Sequence, residues 1–235
     1  MPKRIKKSLD GYLWNYHKVG NLYYDISPET EFPRVYGLPS TFECPRYLID
    51  FEQAITLVNK KLDVSEYGVH FYMDDNDLVR FYLNFDEYLP KLKLFPCVLT
   101  LDFSMSSDMP TFVKKEAVFY SRQIGQLMQR AGFSVPITLQ WEDESTFDFG
   151  FRDVPQNSVV SISTVGVANK HMDSSERKMF LKGFNEAMIQ LTPREVMHYG
   201  ALLPECNYGN TKFVVYPNSH FLIDQFQFNK ETANG

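Results

Sequence analysis

The sequence predicts an α/β fold of repeated β-α units with a mainly parallel sheet, and three observations carry that prediction. Short apolar, β-branched runs recur along the chain, each run ends in a polar or small residue, and the stretches between runs place apolar residues at helical spacing. Continuous apolar runs suit strands buried on both faces, and a helix between two of them makes the connection a parallel crossover. In such sheets, open or closed, ligands sit beyond the carboxyl ends of the strands. The pattern therefore indicates where a site lies before it indicates what the site does.

Residues 1–45 stand outside this rhythm. They open on Lys3, Arg4, Lys6 and Lys7, continue through Tyr12, Trp14, Tyr16, Tyr23 and Tyr24, and carry Pro28, Pro33, Pro39 and Pro45. Prolines so spaced exclude a long helix or a central strand, which predicts an extended aromatic and basic arm. Residues 46–228 are expected to form one α/β domain, and residues 229–235 a frayed tail. Tyr47–Phe51 reads as a first strand, followed by a helix over 52–61 with Ala54, Ile55 and Val58 on one face. A strand at Val69–Met73 leads into a helix over 77–89 through Leu78, Phe81, Tyr82 and Phe85.

Val98–Leu101 is the next strand, and the long helix over 111–131 follows with Val113, Ala117, Ile124, Leu127 and Met128 near helical spacing. Gly132 supplies its stop. Ile137–Gln140, a short connection around 147–151, and Val159–Ile162 come next. Asp173-Ser174-Ser175-Glu176 has capping-box spacing and opens a helix carrying Phe180, Phe184, Ala187 and Leu191, which Thr192-Pro193 ends. Val196–His198 and Phe213–Tyr216 complete the strands. Six or seven strands of this kind make either an open doubly wound sheet or a small, incomplete (β/α) barrel. The barrel-like form is favoured, because nearly every strand ends in a residue suited to a shared mouth.

Composition narrows the classes of function. With 44% hydrophobic and 23% charged residues in 235, the chain is long enough to bury a substantial core, and its 20 Phe and 14 Tyr mean either a heavily aromatic core, the favoured reading, or an exposed aromatic interface. A net charge of −5 disfavours non-specific attraction to phosphate backbones. Cys44, Cys97 and Cys206 are odd in number and far apart, neither a disulfide framework nor a zinc site. No window approaches a membrane span and no leader is visible, so the cytoplasm is the expected location.

Four stretches resemble a known family. Leu99–Pro110 (LTLDFSMSSDMP), Pro136–Trp141 (PITLQW), Val159–Gly166 (VVSISTVG) and Phe180–Asn185 (FLKGFN) look like the domain of unknown function 4417, found in bacteriophages, plasmids and other mobile elements. The resemblance runs from about Tyr47 to Gly200 and leaves out the arm and the tail. It implies a genetic setting rather than a mechanism.

The Asp-Phe-Ser-Met-x-x-Asp-Met-Pro loop is the strongest chemical candidate. Asp102 leaves a buried strand directly, with Ser104 in reach of the same ligand. It serves either as a base, a ribose-hydroxyl acceptor or a cation ligand, or as a cap on backbone N–H groups. Asp74 and Asp75, with Glu142 and Asp143, either converge on it as a Mg²⁺ site or cap the helices they precede. No metal is assigned and no cofactor is identified. Trp141 offers a flat face for a base or sugar, or else packs in the core. Ser163, Thr164, Val165 and Gly166 offer hydroxyls and N–H groups without the glycines of a dinucleotide fingerprint or a P-loop. Ser175 to Lys178 matches a bare Ser-x-x-Lys in the first turn of a helix, a cap and a solvated face. His70 and His198 lie in strands and are expected to face helix layers.

Three functions follow. A nucleotide or other phosphate- or sugar-bearing small ligand binds at the strand ends, lined by Asp74, Asp102, Ser104, Trp141, Ser163, Thr164 and Tyr199, with turnover left open. Alternatively the aromatic arm docks on a host or phage protein or on a second copy of the chain. Least favoured is single-stranded nucleic acid held by the basic arm.

Overall fold

The computed structural model describes residues 25–167 and 174–217. The basic cluster and first aromatics of the arm, Asp173 of the capping box, and the tail lie outside the described residues. Among these residues the seven strands are β1 (Tyr47–Asp50), β2 (Tyr67–His70), β3 (Cys97–Val98), β4 (Ile137–Thr138), β5 (Val159–Ser163), β6 (Glu195–Tyr199) and β7 (Lys212–Tyr216). Among the described residues the six helices are α1 (Phe51–Asn59), α2 (Asp75–Leu83), α3 (Phe85–Leu92), α4 (Thr111–Arg130), α5 (Glu144–Gly150) and α6 (Ser174–Leu191).

All pairings between strands are parallel and fall in sequence order, β1-β2-β3 in one sheet and β4-β5-β6-β7 in the other. Two backbone bonds stitch the sheets, from the N–H of Val98 to the Ser134 carbonyl (3.1 Å) and from Thr100 to Pro136 (3.2 Å). No closed barrel forms. Among the described residues, β1 and β7 do not pair, and the Tyr216 hydroxyl reaches the Pro45 carbonyl (2.9 Å) between them. The two sheets nevertheless share an interior: Leu48, Cys97 and Leu99 of the first pack with Val159, Met197, Tyr199 and Tyr216 of the second.

The period-two alternation of the strands sorts side chains between this interior and the helices. Ile49, Val69 and Val98 face outward against Phe81, Leu92 and Ile124, while Val160, Ile162 and Val196 face Phe184, Ala187 and Leu191. Gly132, at φ +86°, ends α4 with its N–H on the Gln129 carbonyl, a conformation β-carbon sterics make costly for other residues.

Two helices differ from expectation. The helix read over 77–89 is two, because Asn84 leaves helical geometry (φ −120°, ψ 25°) and turns its side-chain amide onto the Arg80 carbonyl. The connection around 147–151 is the helix α5, started by Asp143, whose carboxylate accepts from the Ser145 N–H (2.8 Å). Its Phe-rich sequence hides the capping signal two residues after Trp141.

Residues 25–45 form a strap. Gln126 of α4 donates to the carbonyls of Asp25 and Arg34 (both 2.8 Å), and Gln129 both accepts from the Tyr36 N–H and donates to its carbonyl (2.8 and 2.7 Å). Further on, Leu38 donates to Ser158 Oγ (3.1 Å), and the Arg194 guanidinium holds the carbonyls of Leu38 and Pro39. Leu38, Phe42 and Cys44 then pack into the shared interior at the end where the strands begin.

Candidate functional site

Toward the carboxyl ends of the strands the shared interior turns polar. His70 and Tyr72 on one side meet Ser161 and Tyr199 on the other: Tyr72 stacks on Tyr199 (centroids 5.3 Å, interplanar 17°), and His70 lies 4.1 Å from the same ring. Ser161 gives its hydroxyl proton to the Met197 carbonyl (3.0 Å), so the Tyr72 hydroxyl, 2.6 Å away, is the donor to Ser161. His70 therefore faces the interior rather than a helix layer, because its strand alternation follows Gly68, which abuts Pro45, Leu48 and Cys97 from that side. His198, out of phase with Tyr199, does face the outer layer, against Tyr208 and Phe213.

Above this polar layer lies a cavity of about 180 Å³, walled by Tyr72, Asp102, Phe103, Ser104, Met105, Leu139, Gln140, Trp141, Ser163, Val167 and Phe180. The loop that supplies Asp102 is pinned on three sides. Ser121 of α4 donates to the Leu101 carbonyl (2.6 Å), Gln140 donates to the Phe103 carbonyl (3.0 Å), and Asp75 accepts from the Ser104 N–H (3.0 Å). The Asp102 carboxyl itself has no hydrogen bond or ion pair among the described residues. Burial, and then the negative charge of Asp75, push its pKa up from 3.8 to about 7. The group is thus poised between its neutral and ionised forms near neutral pH.

Trp141 forms the opposite wall. Its indole rests between Phe151 and Phe180 (5.8 and 5.1 Å) and over Gly183 of α6, where an added Cβ would stand 2.2 Å from two of its ring atoms. That close approach explains a glycine in mid-helix, a residue that otherwise costs helix stability.

Of the residues singled out from sequence, Asp102, Ser104, Trp141 and Ser163 line this one cavity, and Tyr199 lies beneath it as the stacking partner of Tyr72. Two do not. Asp74 is exposed and caps α2 through the Asn76 N–H (2.9 Å). Thr164 is buried with its hydroxyl on the Ala201 carbonyl (2.7 Å), holding β5 to the turn after β6. The acidic cluster does not assemble either. Asp143 caps α5 and is paired with the buried Lys114 of α4, and the described residues contain no group of three His, Cys, Asp or Glu able to hold a metal. The acid beside Asp102 is Asp75.

Tyr72, Gln140 and Phe180 are wall residues that the sequence reading passed over. Tyr72 had a signal, since it stands two residues after His70 and so on the same strand face. His70 is neutral: burial drives its pKa down to about 3. Its Nδ1 accepts from the Tyr72 N–H (3.2 Å), which leaves the proton on Nε2, and that atom has no partner among the described residues.

A family model described as Domain of unknown function (DUF4417) matches residues 24–217, including the strap and β7, which the sequence resemblance left out. Among curated proteins, the Gene 1 protein of Mycobacterium phage D29 is 32% identical over 139 residues, covering 59% of this chain and 50% of that protein. The Gene 1 protein of Mycobacterium phage L5 is 31% identical over 135 residues, covering 57% of this chain and 58% of that protein. The chain thus spans about half the length of the curated relatives it matches. No solved structure matches it.

Proposed function

We propose, for a chain that belongs to the DUF4417 family, that it binds a small polar ligand in the cavity at the carboxyl ends of its strands. The observation that carries this reading is the Asp102 carboxyl, held in a cavity wall by three bonds to its own loop and left without a partner among the described residues. A half-buried carboxyl that lines a cavity and bonds no protein group keeps its oxygens open to a ligand's donors. The cavity has the size of one ring: an apolar cavity of about 150 Å³ is enough to hold benzene. A nucleobase or a sugar ring fits it, and among the described residues no Lys or Arg stands in its wall. The phage origin of the relatives suits a protein that meets its ligand in the host cytoplasm.

The test is a melting-temperature screen with nucleobases, nucleosides, nucleotides, monosaccharides and small organic amines and amidines. A ligand is expected to raise the transition of the wild-type protein and to leave Asp102→Ala unmoved. A screen that moves nothing, or a shift that Asp102→Ala retains in full, overturns the reading.

A further inference from the structure

Resting on the reading that this cavity is a ligand site, we propose that the group it takes is cationic: an ammonium, amidinium or guanidinium of a small molecule, set against the Asp102 carboxylate and enclosed by aromatic rings. The first support is the charge of the walls. Asp102 lines the cavity, Asp75 stands behind it on the Ser104 N–H, and no basic side chain faces in among the described residues. Lys114, the buried cation nearest in sequence to this loop, is committed to Asp143.

The second support is that three of the wall's donors are already committed. The Tyr72 hydroxyl donates to Ser161, the Ser104 N–H to Asp75, and the Gln140 amide to the Phe103 carbonyl. An anion entering here meets the Asp102 carboxyl, with the Trp141 indole N–H and the Ser104 and Ser163 hydroxyls as the donors left to it, whereas a donor-rich cation finds an acceptor in the carboxylate itself. Third, Tyr72, Phe103, Trp141 and Phe180 supply four rings to a cavity of ring size, and aromatic rings attract cations through their quadrupoles while excluding the water that competes for them. A carboxylate and aromatic rings together are the usual complement of an organic cation; neither favours phosphate.

The groups that face Asp102 set its response to pH. Tyr72 comes from the end of β2 and Asp75 from α2; neither brings a positive charge, and burial, with the charge of Asp75, holds Asp102 at about 7. A bound cation favours the ionised form and so expels a proton. Binding should therefore be about tenfold tighter near pH 8 than near pH 6, following the ionised fraction of a group that titrates at about 7.

Benzamidine and benzamide test this, being nearly the same shape and differing in charge. Binding by the full chain is followed by ligand-observed NMR and calorimetry near pH 6 and pH 8. Benzamidine is expected to bind at least tenfold more tightly than benzamide, to release a proton at neutral pH, and to lose at least tenfold in affinity in Asp102→Asn, whose fold is checked by circular dichroism. Equal binding of the two probes, equal binding to Asp102→Asn, or no binding of benzamidine overturns the proposal. If a nucleoside or sugar shifts the melting temperature while benzamidine does not bind, cation recognition fails and the ligand site stands. If nothing binds, both fall.

Discussion

Replacing Gly183 by Ala sets two effects of opposite sign against each other. In an exposed helix interior this change stabilises by about 1 kcal/mol, through the backbone entropy that glycine loses on folding. Here the new Cβ would stand 2.2 Å from Cδ1 and Nε1 of Trp141, when ordinary contact begins near 3.4 Å, so the indole has to retreat by about an ångström. It is hemmed in by Phe151 and Phe180, and forcing a rigid ring through packed neighbours costs about 2–3 kcal/mol. The net is a loss of about 1–2 kcal/mol, or a melting temperature lower by roughly 3–6 °C for a chain of this length. Urea unfolding of Gly183→Ala, Trp141→Leu and the double variant measures it. The clash disappears when the indole is gone, so the alanine should be neutral or stabilising in the Trp141→Leu background, a coupling of about 1–3 kcal/mol. A single Gly183→Ala variant that gains the full helical increment would show that the indole does not rest on α6 and that the far wall of the cavity is misplaced.

Asp102→Asn should stabilise the protein at high pH and not at low. A folded-state value raised from 3.8 to about 7 means the carboxyl contributes fully below about pH 4 and that this contribution is lost as pH rises to about 7, so the asparagine's advantage in melting temperature grows across that window and then levels off. A difference that does not vary with pH would contradict the burial of this group. Removing the Asp143 carboxylate strands the buried Lys114 ammonium and uncaps α5, and Asp143→Ala should cost about 3 kcal/mol or more in urea titrations, with Lys114→Met costing less because it leaves a partly exposed acid instead. Equal costs would mean Lys114 is solvated. Gln129→Ala removes two bonds to Tyr36 and should speed amide exchange in residues 34–38 while lowering global stability by no more than about 2 kcal/mol; unchanged exchange would show that the strap does not depend on α4.

The rhythm of strands and helices was legible because burial on both faces writes itself as uninterrupted Val, Ile and Leu, and each of the seven described strands overlaps its expected run and begins within two residues of it. Their closure was not, because apolar runs report burial and say nothing of whether the first and last strands meet. Asn84 breaks a helix that the spacing of Leu78, Phe81 and Phe85 carries straight through, and only the turn of its own side chain onto Arg80 marks the break. At the site, strand-end position alone brought Asp102, Trp141 and Ser163 to one cavity. It failed to separate Asp74 from Asp75, adjacent acids of which one caps a helix and the other braces the Asp102 loop, a division set by a single N–H in a loop nearly thirty residues away.

The strap carries a consequence for the order in which the molecule is made. Residues 25–45 leave the ribosome early, yet Leu38 is held by Ser158 and Arg194, 120 and 156 residues later, and Pro45 by Tyr216, 171 residues later. Contacts that distant in sequence form late, after the entropy of closing long loops has been met. During synthesis the apolar Leu38 and Phe42 therefore wait uncovered while both sheets assemble, and the interior between the sheets stays open at its base until β7 has emerged. A nascent chain arrested before residue 194 has no final seat for its strap.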